Sequence, residues 1–159
     1  MAVNNRNGRR VAVLLATLAG LTLAGCSSSE PASKATATTA ASQGVMTTVG
    51  VTLKEFSLTA VPASGPAGSV TFAVQNSGLI PHELLVVKSD LRPDQLPQVD
   101  QKRVDETKVQ VLGEVAEFDA GKKQELTLTL QPGKYVLLCN VVSHYISGMY
   151  TAFEVTASK

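Results

Sequence analysis

Four side chains carry the chemistry of this sequence. Cys139, His144 and Met149 fall within one eleven-residue stretch, Cys139-Asn-Val-Val-Ser-His144-Tyr-Ile-Ser-Gly-Met149, and His82 lies well upstream. The chain has two histidines, and both belong to this set. A thiolate and two imidazoles in a near-trigonal arrangement, with a distant thioether, suit a copper ion that shuttles between Cu(I) and Cu(II), because every donor is acceptable to both states. Holding one geometry through both states keeps reorganisation small and electron transfer fast. Taken singly, Cys139 reads as a buried thiol, His82 as a surface or capped histidine and Met149 as core filler. Together they point to a metal, since beyond Met46 every histidine, free cysteine and methionine of the domain sits at a ligand position.

Such donors need strands to place them. Cys139 ends the β-patterned run Tyr135-Val-Leu-Leu, and Met149 begins a returning strand that closes the domain near Val155. The loop between them is long enough to set three donors on one side of a metal. The fourth must come from a different strand, and His82 opens one after the turn Asn76-Ser-Gly-Leu-Ile-Pro81. Elsewhere Val49, Val51 and Leu53 alternate with polar or small residues, and Phe56, Leu58 and Ala60 continue on the opposite parity, so a bulge or strand break is expected near Lys54-Glu55. Val70, Phe72 and Val74 form a further strand after the turn Pro62 to Gly68, Glu83 to Lys88 is β-rich, and Leu126, Leu128 and Leu130 alternate before the turn Gln131-Pro-Gly133. Short strands with turn signals at this spacing predict an all-β fold, an antiparallel β-sandwich. Ser89 to Lys108 does not fit; its mixed charges and prolines predict a long surface insertion, either solubilising or a partner site, with one helical turn around Asp94–Gln98 or Gln101–Glu106. Tyr145 and Tyr150 flank the loop and either pack or line a docking surface.

The N-terminus reads as a targeting segment. Arg6, Arg9 and Arg10 precede the apolar run Val11 to Leu23, too short to span a membrane comfortably but right for a signal sequence. The Arg9-Arg10 pair is a weak pointer to the twin-arginine route. Leu23-Ala24-Gly25-Cys26 resembles the bacterial lipobox, which implies cleavage before Cys26 and lipid on its sulfur. Cys139 then has no disulfide partner, and a lone thiol in an exported chain calls for metal ligation or simple burial. Residues 27–44 are small and polar, a flexible tether reaching about 25 Å as a random coil. The expected division is a lipoprotein signal over 1–25, lipidated Cys26 and tether over 26–44, and a single domain over 45–159.

The composition, 44% hydrophobic and 17% charged over 159 residues, is that of a globular domain. The formal net charge is +1, but three of the 14 Lys and Arg lie in residues 1–25, which leaves the remainder at −2. Nucleic acid is therefore not an expected partner. With both histidines engaged there is no Ser/His/Asp arrangement, and no Gly-rich phosphate cradle occurs.

Asn76-Ser-Gly-Leu-Ile-Pro-His82-Glu83 and the 135–149 segment together resemble the cupredoxins, the plastocyanin- and azurin-like blue copper proteins, and the Cys-x4-His-x4-Met spacing is similar to the rusticyanin and sulfocyanin type. The resemblance covers roughly Val45 to Ala157. It implies a Greek-key sandwich of about eight strands with one type 1 copper ion. His82 and His144 would bind through imidazole nitrogen, Cys139 through thiolate and Met149 as the weak axial ligand. It further implies a hydrogen bond from the Glu83 backbone N–H to the Cys139 sulfur, Asn140 as a residue supporting the site, and a partly exposed His144 edge through which electrons pass. Two departures stand out. Glu83 replaces the usual Asn or Ser, and by strand alternation it is expected to point away from the metal, solvated or paired with a loop. Val142-Ser143 replaces the usual Pro-Gly, so a less rigid loop is expected. The functional expectation is a monomeric, membrane-tethered one-electron carrier on the outer face of the cell membrane. It would serve redox partners of the cytochrome or copper oxidase class and would not be an enzyme. The alternatives are a protein of copper delivery, resistance or sensing, and a metal-free structural sandwich.

Overall fold

The computed structural model describes residues 46–158. The predicted signal segment, Cys26 and the tether lie outside the described residues. Two sheets face one another. The first holds β1 (Met46–Lys54), β2 (Ser57–Val61), β4 (Gly68–Asn76) and β9 (Lys123–Leu130) in the order β2-β1-β4-β9. The second holds β3 (Ser64–Pro66), β5 (His82–Lys88), β8 (Gln110–Phe118), β10 (Gly133–Leu138) and β11 (Tyr150–Thr156) in the order β3-β11-β10-β5-β8. The chain crosses repeatedly between the sheets, the β-sandwich expected from the sequence. The antiparallel expectation needs one correction: β1 pairs with β4, and β3 with β11, in parallel.

The alternation read from the sequence produces this core. Val49, Val51 and Leu53 of β1 and Val70, Phe72 and Val74 of β4 point inward and are buried. Phe72 meets Phe153 of the opposite sheet edge-on, ring centroids 5.5 Å apart. Each such ring removed from water contributes about 1.5–3 kcal/mol. Gly113 on β8 lets the sheets close, because a Cβ there would press on the Leu128 side chain. The buried Tyr135 hydroxyl donates to the Gln131 carbonyl at 2.6 Å, tying β10 to the turn before it.

β5 and β10 are apolar on both faces for a physical reason. Leu84, Val86, Tyr135 and Leu137 face the sandwich core. Leu85, Val87, Val136 and Leu138 face a second apolar cluster completed by Leu96, Val104 and Tyr145. Leu96 and Val104 belong to the 89–108 segment. That segment is therefore a packed strap rather than a solubilising loop. It carries a small hairpin, β6 (Gln98–Val99) with β7 (Arg103–Val104), and its helical turn is a 3-10 turn at Glu106–Lys108, which meets the second expected position only at Glu106. β8 has no counterpart in the sequence expectation. Register shifts where it pairs with β5 break the period-two pattern by which a strand is recognised.

Candidate metal centre

The break predicted near Lys54-Glu55 is a two-residue hairpin turn. Lys54 pairs with Ser57, so Glu55 and Phe56 form the tip of the β1–β2 hairpin. This tip sits at the same end of the sandwich as the start of β5 and the end of β10.

Asn76, fully buried at the end of β4, organises the turn that delivers His82. Its Oδ1 accepts the Gly78 N–H at 2.9 Å, and its Nδ2 donates to the carbonyls of Ile80 at 2.9 Å and Phe118 at 3.1 Å. This satisfies the turn's polar groups inside the fold and fixes where β5 begins. His82 enters with no exposure to solvent.

Cys139 follows β10, fully buried, with its N–H donating to the Met149 carbonyl at 3.0 Å. The Glu83 N–H points at the Cys139 sulfur at 3.5 Å, as the resemblance implied. From Cys139 the chain turns at once. The His144 N–H donates to the Val141 carbonyl at 2.9 Å, and Ser143 has φ of +71°. A positive φ at the third position of such a turn is the mark of a type II turn. Val142-Ser143 thus forms the turn that Pro-Gly would form. A 3-10 turn, Tyr145–Ser147, and Gly148 at φ of +105° then bring the Met149 N–H back to the His144 carbonyl at 3.1 Å. Met149 is fully buried in the same apolar cluster as Cys139.

The loop is not loose. Its N–H at Ser143 donates to the Lys102 carbonyl of the strap at 3.0 Å. The Asn140 carboxamide takes the Val104 N–H at 2.7 Å and donates to the Val104 carbonyl at 3.1 Å and to Glu106 at 2.8 Å. The Tyr145 hydroxyl donates to the Pro93 carbonyl at 2.6 Å and accepts the Leu96 N–H at 3.1 Å, so Tyr145 packs instead of lining a surface. The expectation of a less rigid loop is corrected by these bonds. No local pattern signals them, because the strap reads as a polar insertion.

Three donor atoms meet in this pocket. His82 Nδ1 lies 3.1 Å from His144 Nδ1, and Cys139 Sγ lies 3.3 Å from His144 Nδ1 and 3.8 Å from His82 Nδ1. Metal bonds of about 2.0–2.1 Å to nitrogen and 2.3 Å to sulfur separate donors in a tetrahedral or trigonal set by about 3.3–3.8 Å; both separations from the sulfur lie in this range, and the two nitrogens are slightly closer. Burial pulls both imidazoles below their ordinary pKa, so each has a free lone pair at neutral pH. Burial pushes the Cys139 thiol up to about 11, and a cation is what would hold it as thiolate. The donor set, with Met149 buried beside it, fits a single type 1 copper ion.

His144 is only 6% exposed, contrary to the exposed edge expected of it, because the Phe56 ring lies against it in a T-shaped contact at 5.2 Å. Glu83 does face away from the donors, but it is half-buried instead of solvated. Burial, with Glu114 nearby, raises its carboxyl to about 7.

Comparison with known proteins places the fold. No family model and no curated protein matches the chain. Solved structures do. Reduced auracyanin from the photosynthetic bacterium Roseiflexus castenholzii is 22% identical, with a TM-score of 0.53 over 69% of this chain and 97% of its own. Auracyanin A, a "blue" copper protein from the green thermophilic photosynthetic bacterium Chloroflexus aurantiacus, is 18% identical, with a TM-score of 0.52 over 70% of this chain and 100% of its own. The fold is that of the blue copper cupredoxins.

Proposed function

We propose that this protein is an exported, membrane-tethered carrier of single electrons that holds one copper ion between His82, Cys139, His144 and Met149. The observation that carries the reading is the convergence of two imidazole Nδ1 atoms and one thiol sulfur in a buried pocket of a cupredoxin fold. Bound copper supplies the Cu(II)/Cu(I) couple. The protein supplies the rest. His82 and His144 would offer neutral nitrogens, Cys139 a thiolate whose charge the Glu83 N–H would offset, and Met149 a weakly binding thioether sulfur. Strands on one side and the strap on the other hold the donors in one arrangement. Four protein donors leave no position for a substrate, which argues against a catalytic role. Auracyanin A, of like fold, is a blue copper protein.

Phe56, Leu79, Val142 and Ile146 are exposed apolar residues around this end of the domain. An apolar collar of this kind suits the transient approach of a redox partner, such as a cytochrome or a copper oxidase. Lipid on Cys26 and the 27–44 tether would keep the domain at the outer face of the membrane. A copper-delivery protein would use the same donors. Burial of all of them, with Phe56 over His144 and the strap behind the loop, favours a retained ion over an exchanged one.

Adding Cu(II) to the purified protein tests this. An intense blue colour, bleached by ascorbate and stable to a mild chelator, is expected, and Cys139→Ser is expected to abolish it. Rapid loss of copper to the chelator, or a Cys139→Ser variant that stays blue, would overturn the reading.

A further inference from the structure

The hairpin tip places a carboxylate against the far side of His82. Glu55 Oε1 accepts the Leu79 N–H at 2.6 Å and the Ile80 N–H at 2.9 Å, clamping the turn that precedes β5. The same oxygen lies 3.3 Å from His82 Nε2, the nitrogen pointing away from the three converging donors. That Nε2 is buried and has no other polar partner among the described residues. At 3.3 Å the contact is close but off the axis of a well-formed hydrogen bond, so it acts on the ring chiefly through charge.

Two further observations show that the carboxylate is built into this position. A Cβ at residue 78 would fall on the Glu55 carboxylate, so Gly78 leaves the space it occupies. Backbone N–H groups, its own and those of Ile80 and Leu79, hold the Glu55 carboxyl well below the usual range, at about 2, so it is ionised at any physiological pH.

A carboxylate facing a neutral imidazole nitrogen attracts an N–H and repels a lone pair. With the proton on Nε2, the lone pair is on Nδ1, which faces Cys139 Sγ and His144 Nδ1. We propose that Glu55 is a positioning residue of the metal centre: its carboxylate selects the Nε2–H tautomer of His82, aims the Nδ1 lone pair at the metal, and places a fixed negative charge that favours the oxidised ion. The tautomer role needs no metal; the charge role rests on the copper reading above. The carboxylate–histidine–metal arrangement is a known way of orienting a ligand and tuning its ion. Here the carboxylate comes from a hairpin in the opposite sheet, so sheet-to-sheet packing and ligand orientation are joined.

The test uses Glu55→Gln, Glu55→Ala and Gly78→Ala in the full chain. In the metal-free protein, nitrogen-15 NMR of the imidazoles is expected to show His82 as the Nε2–H tautomer, and Glu55→Ala is expected to give a tautomer mixture. In the copper-loaded protein, Glu55→Gln keeps a carbonyl for the Leu79 and Ile80 N–H groups but removes the charge. It is expected to shift the Cu(II)/Cu(I) ratio at fixed potential about tenfold toward Cu(I), a rise of about 59 mV for a one-electron couple. Gly78→Ala, which displaces the carboxylate without removing it, is expected to move the potential the same way. If the substitutions lower stability but leave both tautomer and potential as in the unsubstituted protein, Glu55 is only a turn clamp and the proposal fails. If the unsubstituted protein takes up no copper, the copper reading fails by itself, and the NMR arm still decides whether Glu55 holds His82.

Discussion

Phe56 sets its ring in a T-shaped contact with the His144 imidazole, centroids 5.2 Å apart, and shuts that histidine off from solvent while remaining 47% exposed itself. Phe56→Ala is therefore expected to change stability little, by about 1 kcal/mol, since the ring keeps much of its own surface in water. Its larger effect falls on access. Copper removal by a chelator is expected to quicken several-fold, and stopped-flow loss of the blue band would measure it. An unchanged rate would show that Phe56 does not guard this edge.

Asn140 joins the ligand loop to the strap through three hydrogen bonds, two of them to the Val104 peptide. Asn140→Ala leaves that peptide without its partner in a buried place and is expected to cost about 2–3 kcal/mol. Chemical denaturation of the metal-free protein would read this directly. A loss below about 0.5 kcal/mol would mean that the strap does not brace the loop.

Ser143 holds a left-handed conformation in a turn that glycine would adopt without strain. Ser143→Gly is expected to stabilise the protein by about 0.5–1 kcal/mol, the strain relieved outweighing the extra freedom of glycine in the unfolded chain. Thermal unfolding checks the sign, and a fall in midpoint would contradict the turn assignment.

Copper uptake at pH 7 is expected to release close to one proton. The Cys139 thiol, pushed up to about 11 by burial, is protonated in the metal-free protein. The two imidazoles, held below their ordinary range by burial, are already neutral and give up none. Apparent affinity should therefore rise about tenfold per pH unit between the imidazole and thiol values, because each unit makes the thiolate tenfold cheaper to form. Calorimetry in buffers of different ionisation enthalpy counts the protons. Release of none, or of two or more, would contradict this assignment of charge.

Much of this centre could be read from the chain before folding. Cys139, His144 and Met149 are close in sequence and flanked by well-alternating strands, so both the loop and its strands could be read. His82 was marked by the turn before it. The parity break located the hairpin tip, but a turn's sequence does not say what the tip touches, and the contacts of Glu55 with His82 and of Phe56 with His144 join residues distant along the chain. The strap escaped for a similar reason. Leu96 and Val104 are isolated apolar residues among charges, and only a second face of β5 and β10 that needs covering gives them a role. β8 escaped because its bulges erase the alternation. The parallel pairing of β1 with β4 is a matter of topology that no local pattern records.

The order of strands sets a timetable. The first sheet is complete once β9 has been made, at Leu130. In the second sheet β5 already has β8 on one side, but β10 and β11 are made only after β9, and so are Cys139, His144 and Met149. During synthesis or threading through a membrane from the N-terminal end, His82 emerges long before its companions. The pocket closes only with the last strand. A chain cut short after β9 would carry the strands of the first sheet and one histidine but lack Cys139, His144 and Met149, so uptake of an ion would have to follow completion of the chain.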